Sequence, residues 1–534
     1  MVMAVASASV GATACFRREF AQSFDRGDLS HAMVTGVTIR ASEPRPPDRP
    51  APTFIFGGTM RRGRGWKGLL AVLCALTLTA TAAACSSDSG SSGGGGSNGD
   101  TTGISGKVVK VGVAVSDLDG LRAAGFSLAP ALTTNNLAKR VTSYFDEWNA
   151  AGGINGYTFE PVLMVWDPVK PATAQKVCDD ATINTPVFAF INASGMGAKY
   201  IECVAKGGVP VYFGEVAPQS AHDTGLLTTI LPSAEINASS GVNAAIESGQ
   251  IPKGAKVGIL AGNGPEHVSA SAVAKAALEK NGNTVTAVAI NTLVGDPGIQ
   301  NTESAAAVNT FKSAGVTNIV VALQFTASGG FWDNAGGNNW AFTFLDVASS
   351  MCTAFGAKSL KPAAVGGICY TSVGDDVTST GTLAPQTDFE KECLAKWNSF
   401  TKDDFGGAPS YLGVPSGETR TLPDGTKVSS DYGPNECTLM NLFKKAVEKA
   451  GKDLDRGSFM KATRTVGPVS IAKGSNGKGD AVEANTYIGT VVHAVKLTAA
   501  PTGTAKNATG TYNGCAVDVQ CWVPVNNTWY PITK

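Results

Sequence analysis

Two doubly wound α/β lobes are the architecture that this sequence predicts, and three observations predict it. Short, continuous runs of β-branched and apolar residues recur along the chain, the pattern of strands buried on both faces of a parallel sheet. Between them lie segments whose apolar residues repeat at helical spacing, as helices covering such a sheet require. The alternation occurs as two successive series within 534 residues, more than one ordinary core of ~250–300 residues can hold.

In the first series, Val108-Val109-Lys110-Val111-Gly112-Val113-Ala114-Val115, bounded by Gly106 and Ser116-Asp117, reads as a buried strand. A helix follows with Leu137, Val141, Tyr144, Phe145 and Trp148 on one face, and Gly152-Gly153 stops it. A strand at Phe159 to Trp166 and a helix from Ala172 to Ile183 come next. Val187 to Ile191 forms the third strand, Ala198 to Lys206 the third helix, and Val209 to Phe213 closes the series. The second series opens after Leu231-Pro232-Ser233 with a helix from Ala234 to Glu247. Strands are expected at Lys256–Ala261, Thr284–Ile290 and Asn318–Leu323, and helices at Val268–Lys280 and Thr302–Ala314. Beyond Gly366 the pattern loosens: helices at Phe389–Phe400 and Glu436–Ala450, a strand around Tyr487–Leu497, and glycine-rich loops over 406–434 and 473–480.

The amino-terminal region obeys different rules. Arg61, Arg62, Arg64 and Lys67 precede the apolar run Leu69 to Ala84, which is short for a bilayer span of about 20 residues. Small residues lead to Cys85, and the Ser/Gly tract Ser86 to Ser97 follows it. The arrangement resembles a bacterial lipoprotein signal peptide: cleavage before Cys85, a lipid on its sulfur, then a flexible tether through residue 106. Ala82 stands where that pattern prefers leucine. Residues 1–59 carry Pro46-Pro47, Pro50, Pro52 and scattered arginines without apolar periodicity. They are expected either to precede a true translation start at Met60 or to form a disordered leader.

Residues 1–84 hold ten of the 43 Lys and Arg and five of the 43 Asp and Glu. The remainder carries 33 cations against 38 anions, a net of −5 without basic runs, which argues against a nucleic-acid partner. Eight cysteines lie beyond Cys85, an even number suited to disulfides in an oxidising compartment. The expected pairs are neighbours in sequence: Cys178–Cys203, Cys352–Cys369, Cys393–Cys437 and Cys515–Cys521. No Cys-x-x-Cys pair occurs, and Gly262-x-Gly264 lacks the third glycine of a dinucleotide fingerprint, so neither a metal nor a cofactor is expected. The three histidines beyond Cys85, His222, His267 and His493, are widely scattered, and no nucleophile-elbow, zincin or phosphate-loop motif is found. A secreted hydrolase built on a scattered Asp/Glu pair is the weaker alternative to a binding protein.

Trp148-Asn149-Ala150-Ala151-Gly152-Gly153-Ile154-Asn155-Gly156 carries a family signature. It resembles the "N-x-x-GGI-N-G" turn after the first helix in the leucine/isoleucine/valine-binding family of ABC-transporter substrate-binding proteins. Val111-Gly112-Val113, Gly208-Val209-Pro210-Val211 and Gly254-Ala255-Lys256-Val257-Gly258-Ile259 match further joints of that family, in order. The resemblance implies the type I periplasmic binding fold, two Rossmann-like lobes joined by three crossings, with ligand held between them. It implies lobe 1 over 107–230, lobe 2 over 231–368, a return mainly to lobe 1 over 369–465, and mainly lobe 2 with a tail over 466–534.

Candidate ligand contacts are the residues that follow strands, where helix N-termini present free N–H groups. In the first lobe these are Ser116, Asp117, Asn192, Ala193, Ser194 and Glu215. In the second they are His267 in the loop 262–267, Gln324 and Phe325 in the loop 324–327, and Tyr370 where the chain recrosses the hinge. The implied protein is a monomer, lipid-anchored on the outer face of the cell membrane. It captures a small amino-acid-like or amide solute by lobe closure and passes it to an ABC permease and its ATPase. A ligand-sensing receptor lipoprotein would need the same cleft. No carboxylate stands unambiguously where an amino acid's ammonium would need one; Glu215, Glu266 and Asp375 are the candidates.

Overall fold

The structure is a computed structural model. The described residues run from 99 to 532, leaving out 124–131, 169, 193–195, 292–296, 350, 353–356, 358–359, 373, 375–378, 380–383, 402–418, 422–426, 430–432 and 500–519. The leader, Cys85, Ala193, Ser194, Asp375 and Cys515 lie outside them.

The first sheet is built from β1 (Ile104–Ser105), β2 (Val108–Ser116), β3 (Thr158–Trp166), β4 (Ala189–Asn192), β5 (Val211–Phe213) and β6 (Leu227–Thr229). Its parallel strands lie in the order β3-β2-β4-β5-β6, and β1 adds an antiparallel strap along β2. Helices α1 (Leu118–Ala123), α2 (Thr134–Ala150), α3 (Pro171–Asp179), α4 (Ala198–Lys206) and α5 (Gln219–His222) connect them. Thr133 caps α2 by accepting a hydrogen bond from Asn136 N at 3.0 Å. The helix expected over 172–183 continues past Asp179 as one π turn, Asp180–Asn184.

The second unit starts with α6 (Ala234–Glu247) and continues through β7 (Lys256–Gly262), α7 (Pro265–Lys280), β8 (Thr284–Ile290), α8 (Pro297–Ala314), β9 (Asn318–Ala322), α9 (Phe325–Gly337), β10 (Thr343–Asp346) and β11 (Ile368–Thr371). Its parallel strands lie in the order β8-β7-β9-β10-β11. After β11 come α10 (Asp388–Thr401), a hairpin of β12 (Thr419–Thr421) and β13 (Lys427–Ser429), α11 (Pro434–Ala450) and α12 (Arg456–Arg464). A second hairpin pairs β14 (Gly467–Ser470) with β15 (Lys478–Ala481). The antiparallel strands β16 (Val491–Thr498) and β17 (Cys521–Pro531) complete the second sheet beside β11.

Several boundaries differ from expectation. The stretches 406–434 and 473–480 are not continuous loops, since they contain β12, β13, the start of α11 and part of β15. Three- and four-residue strands paired only to each other leave no apolar run for a sequence pattern to register. The loop 262–267 gives way at Pro265, which starts α7 where its missing N–H costs nothing. The loop 324–327 is shorter too: Gln324 is the N-cap and Phe325 the first residue of α9.

One continuous core fills the first lobe. Phe145, Trp148 and Phe159 meet Phe443 of α11, Trp148 stacking on it at 6.2 Å between centroids, and Phe443 meets Phe459 of α12 at 5.1 Å. Residues from before and after the second unit's parallel strands therefore build this lobe. The second sheet separates two cores, one around Phe331, Trp332, Phe344 and Trp522, the other around Val242, Ile259, Val320 and Tyr370.

The chain passes between the lobes after β6, after β11 and after β15. The crossings lie side by side: Gly489 N donates to Ile230 O at 2.9 Å and Ile488 N to Thr229 O at 3.0 Å, while Ser475 N donates to Ser372 O at 2.5 Å. Disulfides join Cys178–Cys203, Cys352–Cys369 and Cys393–Cys437. Cys521 is also disulfide-bonded, and Cys515, its expected partner, is not among the described residues.

Candidate functional site

In each sheet the strand order reverses once, between β2 and β4 in the first and between β7 and β9 in the second. In a doubly wound sheet the crevice beyond the carboxyl ends of such strands is where ligands bind. Segments at the carboxyl ends of both sheets line one cavity of about 200 Å³. From the first lobe come Gly197 and Ala198 after β4, Gly214, Glu215 and Val216 after β5, and Ile230 and Leu231 after β6. From the second come Glu266 and His267 after β7, Gln324 after β9, Ala348 and Ser349 after β10, and Ser372 after β11. Asn435 and Lys473 complete the wall.

Helix N-termini converge on this space. The N-caps Gly197 of α4, Gly264 of α7 and Gln324 of α9 have no side-chain cap, whereas Ser233 caps α6 by accepting from Ile236 N at 3.3 Å. Uncapped first-turn N–H groups and the positive end of the helix dipole suit an oxyanion. Two carboxylates, Glu215 and Glu266, and the ammonium of Lys473 give the wall both signs of charge. A Cβ on Gly264 would lie 2.8 Å from Glu266 Oε1, so the Glu266 carboxylate folds back over the start of its own helix. Gly214 is required by close approach as well, because a Cβ there would come within 2.8 Å of Asn435 Cβ.

Two polar groups in the wall are buried without a partner. His267 Nδ1 makes no hydrogen bond and lies 3.6 Å from Glu266 Oε1. Burial holds the His267 ring below its ordinary pKa, against the opposing pull of Glu266. Ser372 Oγ is likewise buried and unpartnered. An unsatisfied buried polar group costs about 1–3 kcal/mol, a cost that a ligand's hydrogen bond removes.

Of the residues expected from sequence, the structure brings Glu215, Glu266, His267 and Gln324 together on this cavity. Ser116 is buried, and Asp117 Oδ1 accepts from Gly120 N at 2.7 Å. Asn192, the last residue of β4, is tied to Met196, its Nδ2 donating to Met196 O at 3.0 Å and its Oδ1 accepting from Met196 N at 3.1 Å. Ala193 and Ser194 lie outside the described residues. Phe325 begins α9, and its side chain lies outside the described part. Tyr370 does not line the cavity: its ring sits in the second-lobe core and its hydroxyl meets Ser248 Oγ at 2.9 Å and Gln250 Oε1 at 3.3 Å. Ser372 does line it, from the candidate segment Cys369-Tyr370-Thr371-Ser372 that recrosses the hinge; Ser349, Asn435 and Lys473 carry no local motif, and the glycine-proline start of α11 at Gly433-Pro434 is the one readable signal near Asn435.

Among the described residues, Asp346, Cys352 and Cys369 approach closely enough to hold a metal, but the two sulfurs are bonded to each other and offer no thiolate. No helix of the described residues is long and apolar enough to cross a membrane.

No protein of curated function matches the chain. Among solved structures it resembles a fatty acid ABC transporter substrate-binding protein from Thermomonospora curvata, at 17% identity over 80% of this chain and 93% of that one, with a TM-score of 0.50. It also resembles a leucine binding protein from Thermotoga maritima, at 13% identity over 73% and 95% of the two chains, with a TM-score of 0.52. A third is a solute binding protein of an ABC transporter from Rhodopseudomonas palustris, solved with 3,4-dihydroxybenzoic acid, at 13% identity over 80% and 98%, with a TM-score of 0.51. These likenesses speak to fold. A family model described as periplasmic binding protein matches residues 131–412, more than half of the sequence. The chain therefore belongs to the periplasmic binding protein family, with its type I two-lobe fold.

Proposed function

We propose that this solute-binding protein is the extracellular receptor of an ABC importer, taking a small amino-acid-like or amide solute into the cleft and delivering it to a permease and its ATPase. The observation that carries the reading is the meeting of strand carboxyl ends from both sheets on one cavity with uncapped helix N-termini. Glu215 and Glu266 supply negative charge for an ammonium or amide N–H, and the helix N-termini with Lys473 supply partners for a carboxylate or carbonyl. Adjacent main-chain crossings suit hinge closure over the solute. The lipoprotein-like sequence ending at Cys85 supports an anchor on the outer face of the membrane, with Ser86 onward as tether.

A thermal-shift screen of amino acids, amides, urea, short fatty acids and hydroxybenzoates tests the ligand class. A binder at 100 times its Kd adds about 2.7 kcal/mol of stability. Small-angle scattering should then show compaction with that solute. Tight binding with unchanged dimensions would overturn lobe closure, and a response confined to fatty acids or hydroxybenzoates would overturn the amino-acid-like assignment.

A further inference from the structure

Asp346 ends β10 and is completely buried, yet it points into no ion pair. Its Oδ1 accepts from Ala348 N at 2.9 Å and its Oδ2 from Met351 N at 3.1 Å, and Ser349 N donates to the same carboxylate. The turn so held is the one that places Ala348 and Ser349 in the cleft wall. Ser349 occupies the left-handed region at φ +59°, which a serine adopts only when its surroundings impose it. Asn237 braces the same turn from α6, its Nδ2 donating to Val347 O at 2.6 Å and to Ser349 Oγ at 3.0 Å. At the far end, Trp522 Nε1 donates to Met351 O at 2.6 Å, and the Cys352–Cys369 disulfide ties the turn to β11.

We propose that Asp346 is a positioning residue for the cleft: its ionised carboxylate holds the backbone of Ala348, Ser349 and Met351 in place, and protonation releases it, altering the wall against the solute. The proposal rests on the solute-cleft reading above. All three backbone donors need an acceptor, which the ionised carboxylate is on both oxygens. A proton added to Oδ2 faces chiefly the Cys352 sulfur, 3.3 Å away, a weak acceptor. Burial pushes the carboxyl up to about 7, against the opposing pull of the three backbone N–H groups, so both states are accessible near neutrality. The groups packed on it do not titrate: Val321 on β9, Cys369 on β11, and Met351 and Cys352 in the turn, with both cysteines in disulfide linkage. No charged side chain contributes to its position on the pH scale.

Solute-free protein labelled with ¹⁵N-alanine, ¹⁵N-methionine and ¹⁵N-tryptophan tests this without knowledge of the ligand. In the wild type, the amides of Ala348 and Met351 and the indole N–H of Trp522 should shift together between pH 5 and 8.5 with one midpoint near 7. In Asp346→Asn, those three resonances should be flat over that range while Ala189 and Ala238, remote in the cores, keep their wild-type positions. Absence of a common titration in the wild type would overturn the proposal, even if the variant failed to fold. A titration that survived in Asp346→Asn would overturn it as well. Failure here leaves solute binding itself standing, since no solute enters the measurement.

Discussion

Replacing Asn155 tests why the Gly-Gly-Ile-Asn-Gly turn exists. Asn155 sits at φ +52°, in the left-handed region, and its Nδ2 donates to Val447 O at 2.8 Å, Glu448 O at 3.1 Å and Gly451 O at 3.2 Å. These carbonyls close the last turn of α11, almost 300 residues away, so the turn after the first helix caps a helix from the other end of the lobe. Asn155→Gly keeps the backbone geometry and loses the amide donor, a loss of about 1–2 kcal/mol. Asn155→Ala loses the donor and adds roughly 1–2 kcal/mol for left-handed backbone, giving about 2–4 kcal/mol in all. Asn155→Asp tolerates the backbone but aims a negative oxygen at three carbonyls and the negative helix end, so it should be clearly worse than glycine. Urea unfolding at pH 7, followed by circular dichroism, gives the order wild type, then glycine, then alanine and aspartate. Aspartate equal to wild type would refute the capping argument, and alanine equal to glycine would refute the backbone argument.

Other outcomes follow from features already described. Ser372→Ala should leave the solute-free protein as stable or slightly more so while weakening solute binding at least several-fold; a lower apo melting temperature with unchanged affinity would assign the hydroxyl to the fold instead. Burial, with help from Arg464, lowers the His222 ring to about 4, so the unfolded chain binds the extra proton first as pH falls. Stability from this site is complete above pH ~6.5 and declines toward pH 4 by about 3 kcal/mol. Asp346, raised from 3.8 to about 7, acts in the opposite sense. Its native state holds the proton longer, so stability falls by about 4 kcal/mol as pH rises across that interval. Denaturation curves of His222→Asn and Asp346→Asn against wild type should show the two slopes disappearing separately. Denatured, unreduced protein should yield no reactive thiol from Cys178, Cys203, Cys352, Cys369, Cys393, Cys437 or Cys521, checked by alkylation and peptide mapping. Intact-mass measurement on protein from its native host should find Cys85 as a lipidated first residue, and Cys85→Ser should abolish both the lipid and the cleavage.

The first lobe was the more legible half. Its strands are continuous apolar runs because parallel strands are covered on both faces, and its turns are marked by glycine pairs, so helices such as Ala198–Lys206 could be placed to the residue. The second series was legible up to β9. Helix α9 was hidden because Gly329, Gly330, Gly336 and Gly337 depress its intrinsic propensity. It forms because Phe331, Trp332 and Ala335 are buried, Trp332 stacking on Phe342 at 6.0 Å between centroids, and tertiary packing outweighs the glycines. In the site, residues directly after strands could be nominated, and Glu215, His267 and Gln324 do reach the cavity. Asn435 and Lys473 could not, since they arrive from return segments whose place depends on the crossings. Tyr370 illustrates the converse: position at a strand end says where the backbone goes, but strand alternation turned its ring into the core.

The shared aromatic core has a consequence for how the molecule is made. Strands β2 to β6 are complete by residue 229, yet Phe145, Trp148 and Phe159 meet Phe443 only after about 200 further residues have emerged. At ~5–20 residues per second, that interval is roughly 10–40 s of synthesis. During it the earliest-made lobe presents bare aromatic surface while the later one is still being assembled. Whatever accompanies the growing chain must shield that surface, and a truncation anywhere before α11 yields a sticky half-lobe instead of a smaller binding protein.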